Sequence, residues 1–471
     1  MCQVDDPVMQ SKIDRLRQMD QGHIFRFCSE LNHEQKQKFL KQIEDLNLEL
    51  LRQLIQLGVK QQVPLPEDAR LEPGEVMTLK QRVNRDSAVL PVGEQALREG
   101  KVAAFLVAGG QGTRLGFNAP KGTFPISPVK KKTLFQLHAE KIRAMSAKYG
   151  HAIPWYIMTS QTNHQATVSF FKENKYFGLD KRNIMFFSQD MLPAIDKNGK
   201  LLLAEKDSLF LSPNGHGGSV KALWDSGALQ DMKKRGIDYI FYFQVDNVLV
   251  NICDPYFIGY HIAARAQMSN KVVRKAYPEE RMGIICKING KNGVVEYSDL
   301  KPEYMYATDE NGDLKFWEGS IAIHMLNVEF IEQANVNGFS LPYHRAEKKV
   351  PYIDEHGRKV EPTEKNGIKF EIFVFDLLLQ TDRVFSLEVD RCLEFSPVKN
   401  KEGLDSPVTA RQDLLRNYAY WLNQAGLEVP VNICGLPPFN IEISPLFALT
   451  PEDVKQKKNQ IKKIARDLYL E

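Results

Sequence analysis

Three groups of residues in this 471-residue chain have types and spacings that could do chemistry. The first is the stretch LVAGGQGTRLGFNAPK, residues 106–121, with glycines at 109, 110, 112 and 116 and two cations, Arg114 and Lys121. Glycines let a ligand approach the backbone, and successive N–H groups in glycine conformations can form an anion-binding nest. Arg114 offers a planar fork suited to phosphate oxygens and Lys121 a point charge; a tight exposed turn needs neither. A dinucleotide fingerprint requires G-x-G-x-x-G, but Gly110, Gly112 and Gly116 are one residue too widely spaced, which argues against a redox enzyme with a dinucleotide cofactor. A Walker loop fits no register. The second group is Asp246, which closes the apolar run YIFYFQVD. A carboxylate there can hold a hard cation or open an Asx turn, and the residue types leave both readings open. The third is PNGHGGS, residues 213–219, a second glycine-rich turn built around His216.

The elements that must position these groups read as an α/β protein. Short apolar runs at 102–107, 155–160, 183–189, 238–246 and 283–288 have the continuous hydrophobicity of buried parallel strands. Helical patterns separate them, such as TLFQLHAEKIRAM at 133–145. Strands alternating with helices predict a doubly wound, mostly parallel sheet, whose ligands lie beyond the carboxyl ends of the strands. Before this lies a polar stretch from about residue 11 to 58 with apolar residues at steps of three and four, which predicts a helical preface. A Pro- and charge-containing connection follows at 61–73. Beyond the α/β region come a helix at 410–426, Pro-rich short strands at 429–449 and a basic helical end. The expected division is a helical region 1–95, a catalytic α/β domain 96–393 and a small C-terminal domain 394–471.

Composition narrows the partners. A formal net charge of +3 over this length gives no reason to expect nucleic acid or a membrane surface, so any anion must be met by local cations. No run approaches the ~18 apolar residues of a membrane span, and the acidic N-terminus lacks a signal-peptide pattern. Six cysteines without a CxxC predict scattered reduced thiols in a cytoplasmic protein. Small-molecule substrates and a monomer or weak homo-oligomer are the expectation.

The 106–121 stretch is similar to the signature of the sugar nucleotidyltransferases, and its length and GFNAPKG ending resemble the UDP-N-acetylhexosamine pyrophosphorylases. Further matches follow in order: FFSQDMLPA, PNGHGG, QVDNVLV, GVVEYSD, NGIKFEIFVFD, EFSPVKN and EISPL. The resemblance implies a nucleotide-diphospho-sugar transferase fold and a uridylyl transfer from UTP to a hexosamine 1-phosphate, with Mg²⁺ as cofactor. It implies that Arg114, Lys121 and Lys399 meet the phosphates and that Asp246 holds the metal. Ala108, Gly109, Gly110, Gln189 and Gly215 are then expected at UTP. Gly217, Gly218, Gly283 and Glu296 are expected at the sugar, with Phe373 and Phe375 lining an acetamido pocket. At period two, those two phenylalanines equally describe one buried face of a strand.

Two positions depart from the family pattern. His216 stands where the hexosamine enzymes read Gly-Asn-Gly-Gly, whereas glucose-1-phosphate and broad UDP-sugar pyrophosphorylases read Gly-His-Gly. Ser320, in EGSIAIH, replaces an asparagine that helps hold the sugar. N-acetylglucosamine 1-phosphate is the first expectation, with glucose 1-phosphate or several sugars as the alternative and a non-catalytic nucleotide sensor as the rival from another class.

Overall fold

The computed structural model describes residues 4–59, 69–461, 464 and 467–471, and groups them into two compact units. The units are discontinuous in sequence. One joins the N-terminal helices to Gln189–Gly218 and Leu341–Val374, and the other takes the rest of the described chain. Most of the 61–73 connection lies outside the described residues.

In the first unit, helices Pro7–Gln18, His33–Asp45 and Leu48–Val59 realise the helical preface. Asn32 starts the second of them with a reciprocal capping box to Gln35. The apolar stripes (Ile13 and Leu16; Phe39 and Ile43; Leu51 and Leu54) close a core with Leu192, Ile195, Leu201, Ile368 and Phe370. A three-stranded sheet of His344–Lys348, Gly367–Glu371 and Ile195–Asp196 supplies Ile195, Ile368 and Phe370 of these side chains. Helix stripes that could not bury themselves alone are thus covered by segments far along the chain.

The second unit is an 11-stranded sheet with flanking helices. Its principal strands are β1 (Val76–Met77), β2 (Val102–Val107), β3 (Trp155–Thr159), β4 (Ile184–Ser188), β5 (Tyr239–Gln244), β6 (Met268–Arg274), β7 (Glu318–Asn327) and β8 (Val384–Glu388). Their spatial order is β1-β8-β6-β7-β5-β2-β3-β4. All pairs on this path are parallel except those of β7, which runs antiparallel to both β5 and β6. The sheet is therefore mostly parallel, as the apolar runs predict. The run at 283–288 is different: Ile284–Ile288 forms an antiparallel hairpin with Lys291–Val295. Helices Leu134–Tyr149 and Pro407–Gln424 contribute Leu137, Ile142, Leu414 and Leu422 to the main core with Phe241, Phe243 and Trp155.

Three further expectations differ from the structure. Cys28 is disulfide-bonded, while Cys253, Cys286, Cys392 and Cys434 are free, so the thiols are not all reduced. The Pro-rich 429–449 segment holds one strand, Ile441–Ile443, because the prolines withhold the N–H groups that a ladder needs. Its partner is Leu468–Leu470, paired in parallel, where the basic helical end was expected. α-Helix is found there over Pro451–Gln456, and residues 462–463 and 465–466 of the expected helix lie outside the described residues.

Candidate active site

The second unit brings the loop 106–121 and Asp246 together through strand register. β2 and β5 are adjacent and parallel, with Val107 opposite Gln244. Both strands leave the sheet at the same level, so the loops they lead into lie side by side.

After β2 the chain doubles back on itself. Ala108 N donates to Met158 O at 2.8 Å, extending the sheet by one bond. Gly112 N then donates to Ala119 O (2.9 Å) and Lys121 N to Gly110 O (3.1 Å). Gly116 turns the tip at φ +70°, a conformation that costs a side-chain-bearing residue. It is the one glycine of this loop at positive φ, so backbone pairing shapes the loop and a run of glycine conformations does not. Gly110 is exposed, and a β-carbon there would meet only Lys121 Cε, at 3.9 Å; its backbone is open to an approaching group. The loop is held from below by Asn163, which is fully buried. Its amide nitrogen donates to Ala108 O (2.9 Å) and Gly110 O (3.3 Å), and its oxygen accepts from Ser160 N at 2.9 Å. Sequence reasoning missed Asn163, although Ser160 three residues before it is an available turn signal.

The cations differ. Arg114 is exposed and has no ion-pair partner among the described residues. Lys121 Nζ lies 3.2 Å from Asp246 Oδ2. Asp246 is 8% exposed. Burial pushes its carboxyl up, but Lys121 and Lys399 outweigh that and hold it below the usual carboxylate range. Lys399 arrives on a separate segment, its Nζ 3.8 Å from Asp405 Oδ2 and over the Phe395 ring. That segment is tied to the one carrying Asp246: Val398 N donates to Asp246 O (3.0 Å) and Val248 N to Ser396 O (3.2 Å). Two lysines around one buried carboxylate form a site that can exchange its internal ion pairs for phosphate and metal. No cluster of three or more His, Cys, Asp or Glu side chains suited to a metal occurs among the described residues. A lone carboxylate fits a divalent cation that takes its other ligands from phosphates and water.

A second group gathers at β7. Ser320 N donates to Gly283 O at 2.9 Å, and a β-carbon on Gly283 would lie 3.2 Å from Glu296 Oε1. Gly283, Glu296 and Ser320 are therefore neighbours, set beside a bulge where Ala322 takes φ +54° and the register with β6 shifts. Phe375 is buried in a 3₁₀ turn, Val374–Gln380.

In the first unit, PNGHGG packs on the backbone of 372–374. Gly217 N donates to Ile372 O at 2.8 Å, and a β-carbon on Gly217 would stand 2.5 Å from the Phe373 carbonyl carbon. Gly215 sits at φ +84° and Gly218 N donates to its carbonyl. The Val374 N–H donates to His216 Nδ1 at 3.2 Å, which puts the ring proton on Nε2. Burial, with His344 nearby, pushes His216 down to about 4, so the ring is neutral at physiological pH. Phe373 lies between two imidazoles, 5.4 Å from His216 and 4.6 Å from His344 between ring centroids. The strand Gly367–Glu371 ends before Phe373, so FVFD is not the buried strand face that its period-two spacing also allowed. Gln189 is buried in the same unit.

A mostly parallel sheet with a cation-bearing loop and a carboxylate at the carboxyl ends of adjacent strands is the arrangement of an α/β nucleotidyltransferase. Comparison with known proteins narrows that class. The sequence profile of the UTP–glucose-1-phosphate uridylyltransferases matches residues 59–416. A UDP-N-acetylhexosamine pyrophosphorylase-like protein 1 from Xenopus tropicalis is 38% identical over 95% of this chain and 93% of its own length. The UDP-N-acetylglucosamine pyrophosphorylase of Saccharomyces cerevisiae is 38% identical over 84% of each chain. A crystal structure of the Trypanosoma brucei UDP-N-acetylglucosamine pyrophosphorylase superposes with a TM-score of 0.81, at 28% identity, over 99% of both chains. The chain belongs to the UTP–glucose-1-phosphate uridylyltransferase family and has its nucleotide-diphospho-sugar transferase fold.

Proposed function

We propose that the protein joins UTP and N-acetylglucosamine 1-phosphate to give UDP-N-acetylglucosamine and pyrophosphate, with Mg²⁺ as cofactor. The observation that carries this reading is the convergence of loop 106–121, Lys121, Asp246 and Lys399 at the ends of β2 and β5. A phosphate oxygen of the sugar phosphate attacks the α-phosphorus of UTP as the bond from that phosphorus to the bridging oxygen breaks. Pyrophosphate leaves with the electron pair. Positioning and electrostatic stabilisation carry such a step, and the attacking phosphate is already ionised at neutral pH, so no general base is required. Arg114 and Lys121 meet the charge on the leaving group, and Lys399 reaches the phosphates from its own segment. Asp246 would hold Mg²⁺, which supplies charge neutralisation of the phosphates when bound. Ala108, Gly109, Gly110 and Gly215 present backbone to the nucleotide, and Gln189 reads the uracil. Glu296 accepts hydrogen bonds from sugar hydroxyls beside Gly283. Ser320, His216, Gly217, Gly218, Phe373 and Phe375 are the remaining sugar-recognition residues.

The names of the yeast and trypanosome relatives support N-acetylglucosamine. His216 and Ser320, at the two positions that depart from the hexosamine pattern, favour a second reading in which glucose 1-phosphate or several sugars are accepted. Among the described residues no helix is long and apolar enough to cross a membrane, and we take the enzyme to be cytoplasmic and a monomer or weak homo-oligomer. The test is a panel of sugar 1-phosphates with UTP and Mg²⁺, read as pyrophosphate release. Fastest turnover with N-acetylglucosamine 1-phosphate supports the proposal, and preference for glucose 1-phosphate replaces it by the second reading. UTP binding without turnover on any sugar would leave a nucleotide sensor.

A further inference from the structure

Asp246 and Lys399 come from chain segments about 150 residues apart, and neither segment is a regular element where its functional side chain sits. Segments of that kind move unless something fixes them, and a displacement of about 1 Å can cost ~10²-fold in rate. The residue between them that is fully engaged on both sides is Asn247, 4% exposed. Its side-chain oxygen accepts from Ser396 N at 3.0 Å and from Leu249 N at 3.2 Å, and its amide nitrogen donates to Glu394 O at 2.8 Å. One carboxamide therefore satisfies two backbone groups of the Lys399 segment and one of its own. The same residue forms a backbone bridge to Pro397, flanked by the Val398 N to Asp246 O and Val248 N to Ser396 O bonds.

The surroundings make this clamp rigid. Lys141 holds the far side of the Asp246 segment, donating to Val248 O (2.7 Å) and Val250 O (2.9 Å). Ser396 Oγ donates to Asp413 Oδ2 at 2.6 Å, anchoring the other segment to helix Pro407–Gln424. Asn247 joins two halves that are each braced elsewhere. An aspartate could accept from both N–H groups but could not donate to Glu394 O, and a hydrophobic residue would leave all three backbone groups without this partner, the N–H groups of Ser396 and Leu249 being buried.

We propose that Asn247 is a positioning residue for uridylyl transfer: it sets Lys399 against Asp246 without itself touching substrate. This rests on the reading that Lys399 takes part in the reaction. It gives Asn247 a role distinct from the metal-binding role of the aspartate before it.

The test is a double-mutant cycle on the purified enzyme, reading kcat for pyrophosphate release together with thermal unfolding. Lys399→Ala alone checks the underlying reading; unchanged turnover in that variant would remove Lys399 from the reaction and the proposal with it. If Lys399→Ala is impaired, Asn247→Ala should lower kcat by about 10²-fold. In the Lys399→Ala background the same change should cost less than about 3-fold, because the group it positions is gone. An equal fold-loss in both backgrounds would overturn the proposal and leave Asn247 a stability residue. Should Asn247→Ala not fold, Asn247→Ser, whose hydroxyl can replace one of the three bonds, enters the same cycle. Failure of both variants to fold would likewise overturn the positioning role.

Discussion

The ionic cluster at loop 106–121 in the second unit and the His216 turn of the first unit are both built on glycine-rich loops, yet their surroundings are opposite in kind. Around Asp246 the side chains are ionic, with Lys121 at 3.2 Å and Lys399 close enough to hold the carboxyl ionised. Around His216 they are neutral and aromatic, with an imidazole kept uncharged by burial and a phenylalanine between two histidine rings. The first cluster is suited to a ligand that carries charge and changes it during reaction. The second is suited to shape and hydrogen-bond selection of a neutral group. Rate and specificity are therefore expected to separate between them.

Breaking the ionic cluster should have the largest effect. Lys121→Ala should lower turnover by roughly 10²–10³-fold, or about 3–4 kcal/mol of transition-state stabilisation, as for loss of one preorganised donor. Arg114→Ala, on an exposed side chain, should fall in the same range with an unchanged melting temperature. Near-normal pyrophosphate release in either variant would show that the loop does not hold the triphosphate. Asp246→Asn should abolish the response to added Mg²⁺ over the concentration range that activates the parent; an unshifted Mg²⁺ titration would place the cation elsewhere.

The neutral cluster should respond in ranking more than in rate. His216→Asn in that cluster, combined with Ser320→Asn at β7 of the second unit, should raise the preference for N-acetylhexosamine over hexose 1-phosphates by about 10-fold, the scale of one or two hydrogen bonds. An unaltered ranking over the sugar panel would mean that neither position reads the acetamido group.

The smallest expected effect is on stability against pH. His216 and His261 are pushed down to about 4 and His138 to about 3, burial being the main cause in each. Below their ordinary value near 6.5 the unfolded chain takes up protons that the folded chain refuses, so stability falls as pH drops from about 6.5 toward 4. Glu318, raised to about 7 by burial, acts in the opposite sense between about 4.5 and 7. Denaturant unfolding of His216→Asn across this window should show a slope shallower than the parent's by at most about 1.4 kcal/mol per pH unit. An identical slope would mean that the imidazole titrates normally in the folded protein.

Much of this contrast is legible in the sequence because it rests on residue type. A continuous apolar run such as VAAFLV can only be buried on both faces, and it becomes β2, a central parallel strand. Arg114, Lys121 and Asp246 stand out because charge at the end of a buried strand requires a reason. Other features are not written locally. The apolar residues of 283–288 fit a parallel strand as well as the hairpin they form, because burial does not distinguish strand direction. FVFD has strand periodicity but turns into a 3₁₀ segment. Asn163 and Asn247 look like ordinary polar loop residues, and only their buried surroundings show that each amide satisfies several backbone groups.

The sequence by itself determined an α/β architecture with a candidate anion-binding loop, and the class of chemistry came from its resemblance to the sugar nucleotidyltransferases. Composition, the alternation of apolar runs and helical patterns, and the cations set in a glycine loop follow from side-chain hydrophobicity and charge, which are properties of each residue wherever it lies. Only the tertiary structure decided which distant segments meet. It set Val107 opposite Gln244, joined the N-terminal helices to residues 189–218 and 341–374, and fastened the Lys399 segment to Asp246. Those choices depend on long-range pairing and on satisfying every buried backbone group, a sum over the whole fold that no local stretch contains.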